Sequence, residues 1–135
     1  MGSPGAGSRV TSAITFDTGA LIAIERRSTR MQALLDEIDR RDWAVAVPAG
    51  AVAQAWRGGA RQSRIVALLS DERTEVVALD DPAARAVGLL CGRSGHADVV
   101  DVSVAVCARQ RNLHVVTSDP DDLRAIDEAL ILHVP

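Results

Sequence analysis

Three aspartates stand where a chain of this kind could gather negative charge: Asp17, Asp101 and Asp119. Asp17 closes the apolar run Ala13 to Phe16, and Asp119 follows a second apolar run, Leu113 to Val116. Asp101 ends the stretch His96-Ala-Asp-Val-Val-Asp101, which reads as the start of a helix. Asp98 precedes it at a spacing that puts both carboxyls on one helical face, at the end where the backbone dipole favours negative charge. In a parallel sheet, strand carboxyl ends and helix N-termini collect on one rim. The three aspartates are therefore predicted to meet. Carboxylates in close company repel, and at least one resists ionising unless a cation sits among them. An all-oxygen set without Cys or His suits Mg²⁺ or Mn²⁺. Such an ion binds a phosphodiester, acidifies a bound water and stabilises the leaving oxygen, so metal-dependent hydrolysis of a nucleic-acid backbone is the chemistry this set suits. Taken singly, Asp17 and Asp119 are equally explained as helix caps. The joint placement is the argument.

Positioning those acids takes a layered α/β chain. Ala13 to Phe16 reads as a buried strand, and Thr18 to Arg26 as a helix entered through Asp-Thr-Gly. Thr29-x-x-Gln32 resembles a capping box opening a helix to about Arg41, with Leu34, Leu35 and Ile38 as its buried stripe. Trp43 to Val47 is apolar throughout, as a strand covered on both faces should be. Pro48 leads into a helix from Ala49 to Arg57, carrying Gln54 and closed by Gly58-Gly59. Ile65 to Leu69 is helical and Thr74 to Leu79 a strand. Asp81-Pro82 is a cap and a first-turn proline, opening a helix that stops at Gly92. Leu130 to Val134 closes the chain as an edge strand. With no repeat and no linker, residues 13–135 are expected to form one domain behind a Gly/Ser-rich, flexible lead of residues 1–12.

A chain of 135 residues, 47% of them apolar, can build a core without disulfide or metal staples. Alternating helical and Val-rich segments point to α/β architecture. The formal charge of −3 argues against a strongly basic nucleic-acid coat, leaving room for a local arginine patch. Arg57, Arg61 and Arg64 are the candidates; their spacing would share a helical face, which Gly58-Gly59 interrupts. They read first as a solvated face and second as a phosphate-binding patch, with Arg57 and Arg61 the RNA contacts. Cys91 and Cys107 form no CxxC and read as buried thiols. His96, His114 and His133 have no ligand spacing, although His96 sits nearest the acids. No apolar run is long enough to span a bilayer, so a soluble, cytoplasmic protein is expected. Every basic residue counted is arginine. The missing lysine excludes a phosphorelay receiver and the aspartyl phosphatases of similar architecture, and the lack of GxxxxGK or GxGxxG excludes P-loop and dinucleotide-binding enzymes.

Four blocks, taken together, carry a resemblance. Asp17-Thr-Gly-Ala-Leu-Ile-Ala, Val47-Pro-Ala-Gly-Ala-Val-Ala-Gln-Ala-Trp-Arg-Gly, Ala97-Asp-Val-Val-Asp-Val-Ser-Val-Ala and Val115-Val-Thr-Ser-Asp-Pro-Asp-Asp-Leu resemble the PIN-domain family in order and spacing. Within it the chain is most similar to the VapC-type toxins of bacterial toxin–antitoxin pairs, over nearly its whole length from Ile14 to Val134. The resemblance implies a three-layer αβα sandwich, a Mg²⁺- or Mn²⁺-dependent endoribonuclease, a homodimer, and neutralisation by a cognate antitoxin protein. It places the family's acids on Asp17, Asp101 and Asp119, as catalytic groups and metal ligands. Asp98, Gln54 and Thr117 are candidates for holding the waters around the metal. One departure stands out: the family usually has Glu where this chain has Gln54, which keeps an oxygen acceptor and loses a charge. Glu25 or Asp98 would have to make up that charge. The departure supports a competing expectation, a catalytically weak or inactive PIN-like module that binds RNA or a partner protein.

Overall fold

The computed structural model describes residues 13–135; the expected flexible lead, residues 1–12, lies outside them. Five strands form one parallel sheet: β1 (Ala13–Phe16), β2 (Ala44–Pro48), β3 (Thr74–Val77), β4 (His114–Val116) and β5 (Ile131–His133), in the order β3-β2-β1-β4-β5. Every pairing is parallel, with Thr15 opposite Val115 and Phe16 opposite Val116 at the centre. Among the described residues seven α-helices cover it: α1 (Thr18–Glu25), α2 (Thr29–Arg40), α3 (Ala49–Ala55), α4 (Ser63–Ser70), α5 (Asp81–Ser94), α6 (Val99–Arg109) and α7 (Pro120–Ile126). This is the α/β sandwich expected from the sequence.

The topology dictates where a ligand can bind. From β1 the chain steps outward to β2 and β3 through α1 to α4, then returns past β1 to β4 and β5 through α5 to α7. Right-handed crossovers put helices of opposite step direction on opposite faces. Accordingly α1 packs on α2, α3 and α4, while α6 packs on α5 and α7 and lies across β1, β2 and β4. The step direction reverses between β1 and β4, and the crevice beyond their carboxyl ends is where open α/β sheets bind ligands.

Two apolar clusters hold the layers. One joins Phe16, Leu21, Met31, Val47 and Ile65; the other joins Val87, Val102, Val104, Val115 and Leu123. β1 and the apolar part of β4 are buried, as continuous apolar runs require. The edge strand β3 alternates differently, with Glu75 and Val76 exposed.

Several boundaries differ from the sequence expectation. Ser28, not Thr29, caps α2, its hydroxyl accepting from the Met31 N–H; Gln32 bonds Asp36 instead of reaching back. Asp80, not Asp81, caps α5, accepting from the Ala83 N–H. In both cases the first capping-type residue wins because it leaves the second to begin the helical hydrogen bonds. Helix α5 runs through Gly92 and stops at Gly95, whose φ of 71° is the left-handed geometry that ends helices. Helix α3 ends earlier than expected, with Trp56 already extended, so Arg57 is off the helix. Arg61 sits on a 3-10 turn (Ala60–Gln62) and Arg64 on α4, so the arginine triplet shares no helical face.

Candidate functional site

Asp17 leaves β1 and caps α1. Its Oδ1 accepts from the Ala20 N–H at 2.8 Å, and its Oδ2 accepts from the Ser118 N–H at 3.3 Å, across the β1–β4 crevice. The buried Thr117 hydroxyl accepts from the Asp119 N–H at 2.9 Å. Burial pushes the Asp17 carboxyl above its ordinary range; the bonds from Thr117, Ala20 and Ser118 oppose this, and Asp119 adds repulsion. Asp17 is thus the cap of α1, and the same side chain lines the pocket at the crevice.

The Asp-Thr-Gly turn has a steric reason. A Cβ on Gly19 would lie 1.9 Å from the Ser118 hydroxyl oxygen and 2.5 Å from the Ser118 Cβ. Glycine lets the first turn of α1 come against the loop after β4, which brings Asp17 and Asp119 to one crevice. Asp119 opens α7 without a side-chain capping bond.

Asp98 stands just before α6. Its Oδ1 accepts from the N–H groups of Val100 and Asp101, both at 3.0 Å. Asp98 is therefore a cap, and the expected pairing of Asp98 with Asp101 on one helical face gives way to a cap and a first-turn residue. His96 Nε2 lies 3.3 Å from Asp101 Oδ2. Burial raises the Asp101 carboxyl, Asp98 and Asp119 raise it further by repulsion, and His96 opposes them.

These groups share one pocket of about 320 Å³, lined by Asp17, Asp98, Asp101, Asp119, Asp122 and Gln54 among others. Among the described residues no arginine lines it. Gln54 is fixed by the Thr18 hydroxyl, which donates to Gln54 Oε1 at 2.6 Å. Thr117 lies behind the pocket as a support for Asp17 and Asp119. Glu25, expected as a possible replacement for the missing charge at Gln54, lines a neighbouring cleft instead, where the Gln62 amide donates to it at 3.0 Å. Arg57 and Arg61 line that same cleft and not the acidic pocket.

As placed, no three Asp, Glu, His or Cys side chains among the described residues close on a common point to hold a metal. The carboxylates ring a pocket. An all-oxygen, anionic ring with no balancing arginine fits a hard cation that keeps part of its water shell, as Mg²⁺ does. Asp122, Thr18 and Ser118 also line the pocket and escaped the sequence reading. The signal for Asp122 was present, one helical turn beyond Asp119. The contact between His96 and Asp101 had none beyond nearness in sequence.

Fold and site together define an α/β protein with an acidic pocket at the switch point of a parallel sheet. The PIN-domain signature matches residues 14–129, and the chain belongs to the PIN-domain family, whose members are generally nucleases. Solved structures similar in fold include the following three. VapBC2 from Rickettsia felis, bound to a DNA fragment from its promoter, superposes with a TM-score of 0.66 at 19% identity, over 90% of this chain and 98% of that one. FitAB bound to an IR36 DNA fragment gives 0.62 at 22% identity, over 90% and 94%. FitAcB from Neisseria gonorrhoeae gives 0.60 at 22%, over 88% and 95%. No curated protein matches the sequence. No helix among the described residues is long and apolar enough to cross a membrane.

Proposed function

We propose that this protein is a metal-dependent endoribonuclease, the toxin of a toxin–antitoxin pair, which hydrolyses RNA phosphodiester bonds at the acidic pocket. The observation that carries the reading is the pocket's charge. Four acids from three separate segments, Asp17, Asp98, Asp101 and Asp119, meet beside the β1–β4 crevice with no arginine among them, and burial raises both Asp17 and Asp101. A fold that gathers unbalanced carboxylates is built for a cation.

Asp17, Asp101 and Asp119 would hold Mg²⁺ or Mn²⁺, and Asp98 and Gln54 would hold its waters. The ion supplies a Lewis acid for the phosphodiester and lowers the pKa of a bound water. The chain's own part is orientation. The Ala20 and Ser118 N–H groups fix both oxygens of Asp17. The Thr117 hydroxyl accepts from the Asp119 N–H, which fixes the turn that carries Asp119 next to Asp17. With Gln54 Oε1 taken by Thr18, its NH₂ is the group left to donate, to a water or to a phosphate oxygen.

The likeness in fold to VapBC2 and FitAB supports a cognate antitoxin as partner; a cytoplasmic homodimer completes the proposal and rests on the family resemblance of the sequence alone. The experiment is cleavage of a mixed-sequence RNA by the purified protein with Mg²⁺ or Mn²⁺ and with a chelator. Cleavage that needs the metal and disappears in Asp17→Asn and Asp101→Asn is expected. Gln54 favours a second reading, since the family's usual carboxylate is missing: a PIN-like module that binds RNA or a partner protein without cutting. RNA binding with no cleavage under either metal would select it.

A further inference from the structure

Beside the acidic pocket lies a larger cleft of about 590 Å³, and the two share Gln54 and Ile22 as a common wall. Arg26, Arg57 and Arg61 line the cleft. We propose that this cleft binds a backbone phosphate of the RNA strand next to the one held at the acidic pocket, with Arg26 and Arg61 as the phosphate-gripping residues and Gln62 as the group that fixes the cleft's shape. The proposal rests on the nuclease reading for the identity of the neighbouring pocket, and its binding test does not.

The cleft gathers three unpaired arginines beside the acidic pocket. Elsewhere Arg40, Arg41, Arg73, Arg85, Arg109 and Arg111 each pair with a carboxylate, whereas Arg27, Arg30, Arg64, Arg93 and Arg124 are scattered outside the cleft without one among the described residues. Among the described residues Arg26, Arg57 and Arg61 have no such partner. Glu25 is the one acid lining the cleft, and the Gln62 amide already engages it. Arg57 is partly spent on the end of α3, donating to the Trp56 carbonyl at 2.6 Å. Arg26 and Arg61 are exposed and make no side-chain hydrogen bond among the described residues. Guanidinium is the group best shaped for phosphate oxygens.

The cleft is also built. Gln62 is 4% exposed, and its side-chain amide makes four hydrogen bonds. Its oxygen accepts from the Arg57 and Gly58 N–H groups at 2.8 and 2.9 Å; its nitrogen donates to the Ala55 carbonyl at 2.7 Å and to Glu25 at 3.0 Å. One buried side chain thus ties the end of α1, the end of α3 and the loop between α3 and the 3-10 turn. Gly58, at φ 75°, supplies the turn that lets both N–H groups reach one oxygen. A surface arginine face needs no such anchor.

Electrostatics favours such a cleft beside the acids. The whole chain carries a formal charge of −3, and five aspartates line the acidic pocket. An RNA strand approaching those acids meets repulsion there, which bound cations and the arginines across Gln54 would offset.

The test is fluorescence anisotropy of a labelled single-stranded RNA at several salt concentrations, with a chelator present so that no cleavage is needed. Arg26→Gln with Arg61→Gln should bind roughly tenfold more weakly at low salt, and each arginine–phosphate pairing removed should flatten the log–log salt slope by about 0.7. Arg61→Lys should recover most of the slope, since it returns the charge. In metal-loaded cleavage, the double variant should raise KM for long RNA and leave kcat nearly unchanged. Unchanged affinity and slope in the double variant overturn the proposal. So does unchanged RNA affinity together with abolished binding of an antitoxin, which would make the cleft a protein-docking site. If the parent cuts no RNA but binds it through Arg26 and Arg61, the nuclease reading falls and the cleft stands. If it cuts RNA and the arginines do not matter, the reverse holds.

Discussion

Asp101 carries a charge that the polypeptide by itself disfavours. Its folded pKa is raised, first by burial and then by Asp98, with His96 only partly offsetting them. A raised carboxyl favours the protonated form on folding, so its stabilising contribution is complete below the unfolded value and is lost as pH rises through the folded value. At neutral pH an ionised Asp101 therefore weakens the metal-free protein. Asp101→Asn should raise the metal-free Tm at neutral pH, with the gain shrinking as pH falls below the carboxylate range. Mg²⁺ should stabilise the parent and leave the variant nearly unmoved. Thermal melts across that pH range, with chelator and with Mg²⁺, check both halves; a variant less stable than the parent at neutral pH contradicts the argument. Gln54 makes the complementary case. Gln54→Glu adds a carboxylate to a pocket that already collects them, so cleavage should reach its maximum at lower Mg²⁺, whereas Gln54→Ala should need more. A metal titration of the cleavage rate decides it, and an unchanged Mg²⁺ requirement in Gln54→Glu would place residue 54 outside the metal's reach.

At the scale of elements, the site depends on how closely α1 approaches the loop after β4. Gly19→Ala drives a methyl into Ser118, 1.9 Å from its hydroxyl oxygen, so the loop carrying Thr117 and Asp119 must shift. A displacement near 1 Å commonly costs about a hundredfold in rate. We expect a loss of that order in Gly19→Ala and a partial recovery when Ser118→Gly is added, since the nearest clashing atoms then disappear; steady-state cleavage by both variants measures it. This dependence also shows what was legible beforehand. The buried runs of β1, β2 and β4 and the acids at their ends could be read from apolar patterning and turn chemistry, because a strand covered on both faces has no other composition to adopt. The ends of α2, α3 and α5 were misread by one to three residues, where two capping-type residues adjoin or a glycine sits inside a helix. Asp98 was placed on the helix that it caps for the same reason. Gln62 was missed altogether. Its importance lies in four bonds to groups brought near by tertiary packing, and no periodicity marks such a residue.

Across the whole molecule, the acidic pocket straddles a seam. Its Gln54 wall belongs to α3, which contributes Ala51 and Ala55 to the apolar cluster around Phe16 and Met31; Asp101 stands on α6, which feeds the cluster around Val102, Val104 and Leu123. Asp17 and Asp119 face each other across the crevice, linked through Thr117 and the Ser118 N–H. Repulsion among these acids acts on both sides of the seam, so a cation bound there should tighten both sides together. Local opening of the first turns of α1 and α6 and of the loop after β4 should become rarer when metal binds, because only the closed arrangement presents all the acids. Hydrogen exchange reads this directly. With Mg²⁺, the Ala20, Val100, Asp101 and Ser118 amides should all exchange more slowly, while amides of the edge strand β3, remote from the pocket, should not. Asp101→Asn should remove the effect at Ala20 and Ser118 as well as at its own helix. Protection confined to α6 would mean that Asp98 and Asp101 bind the ion alone and that Asp17 serves only as a cap.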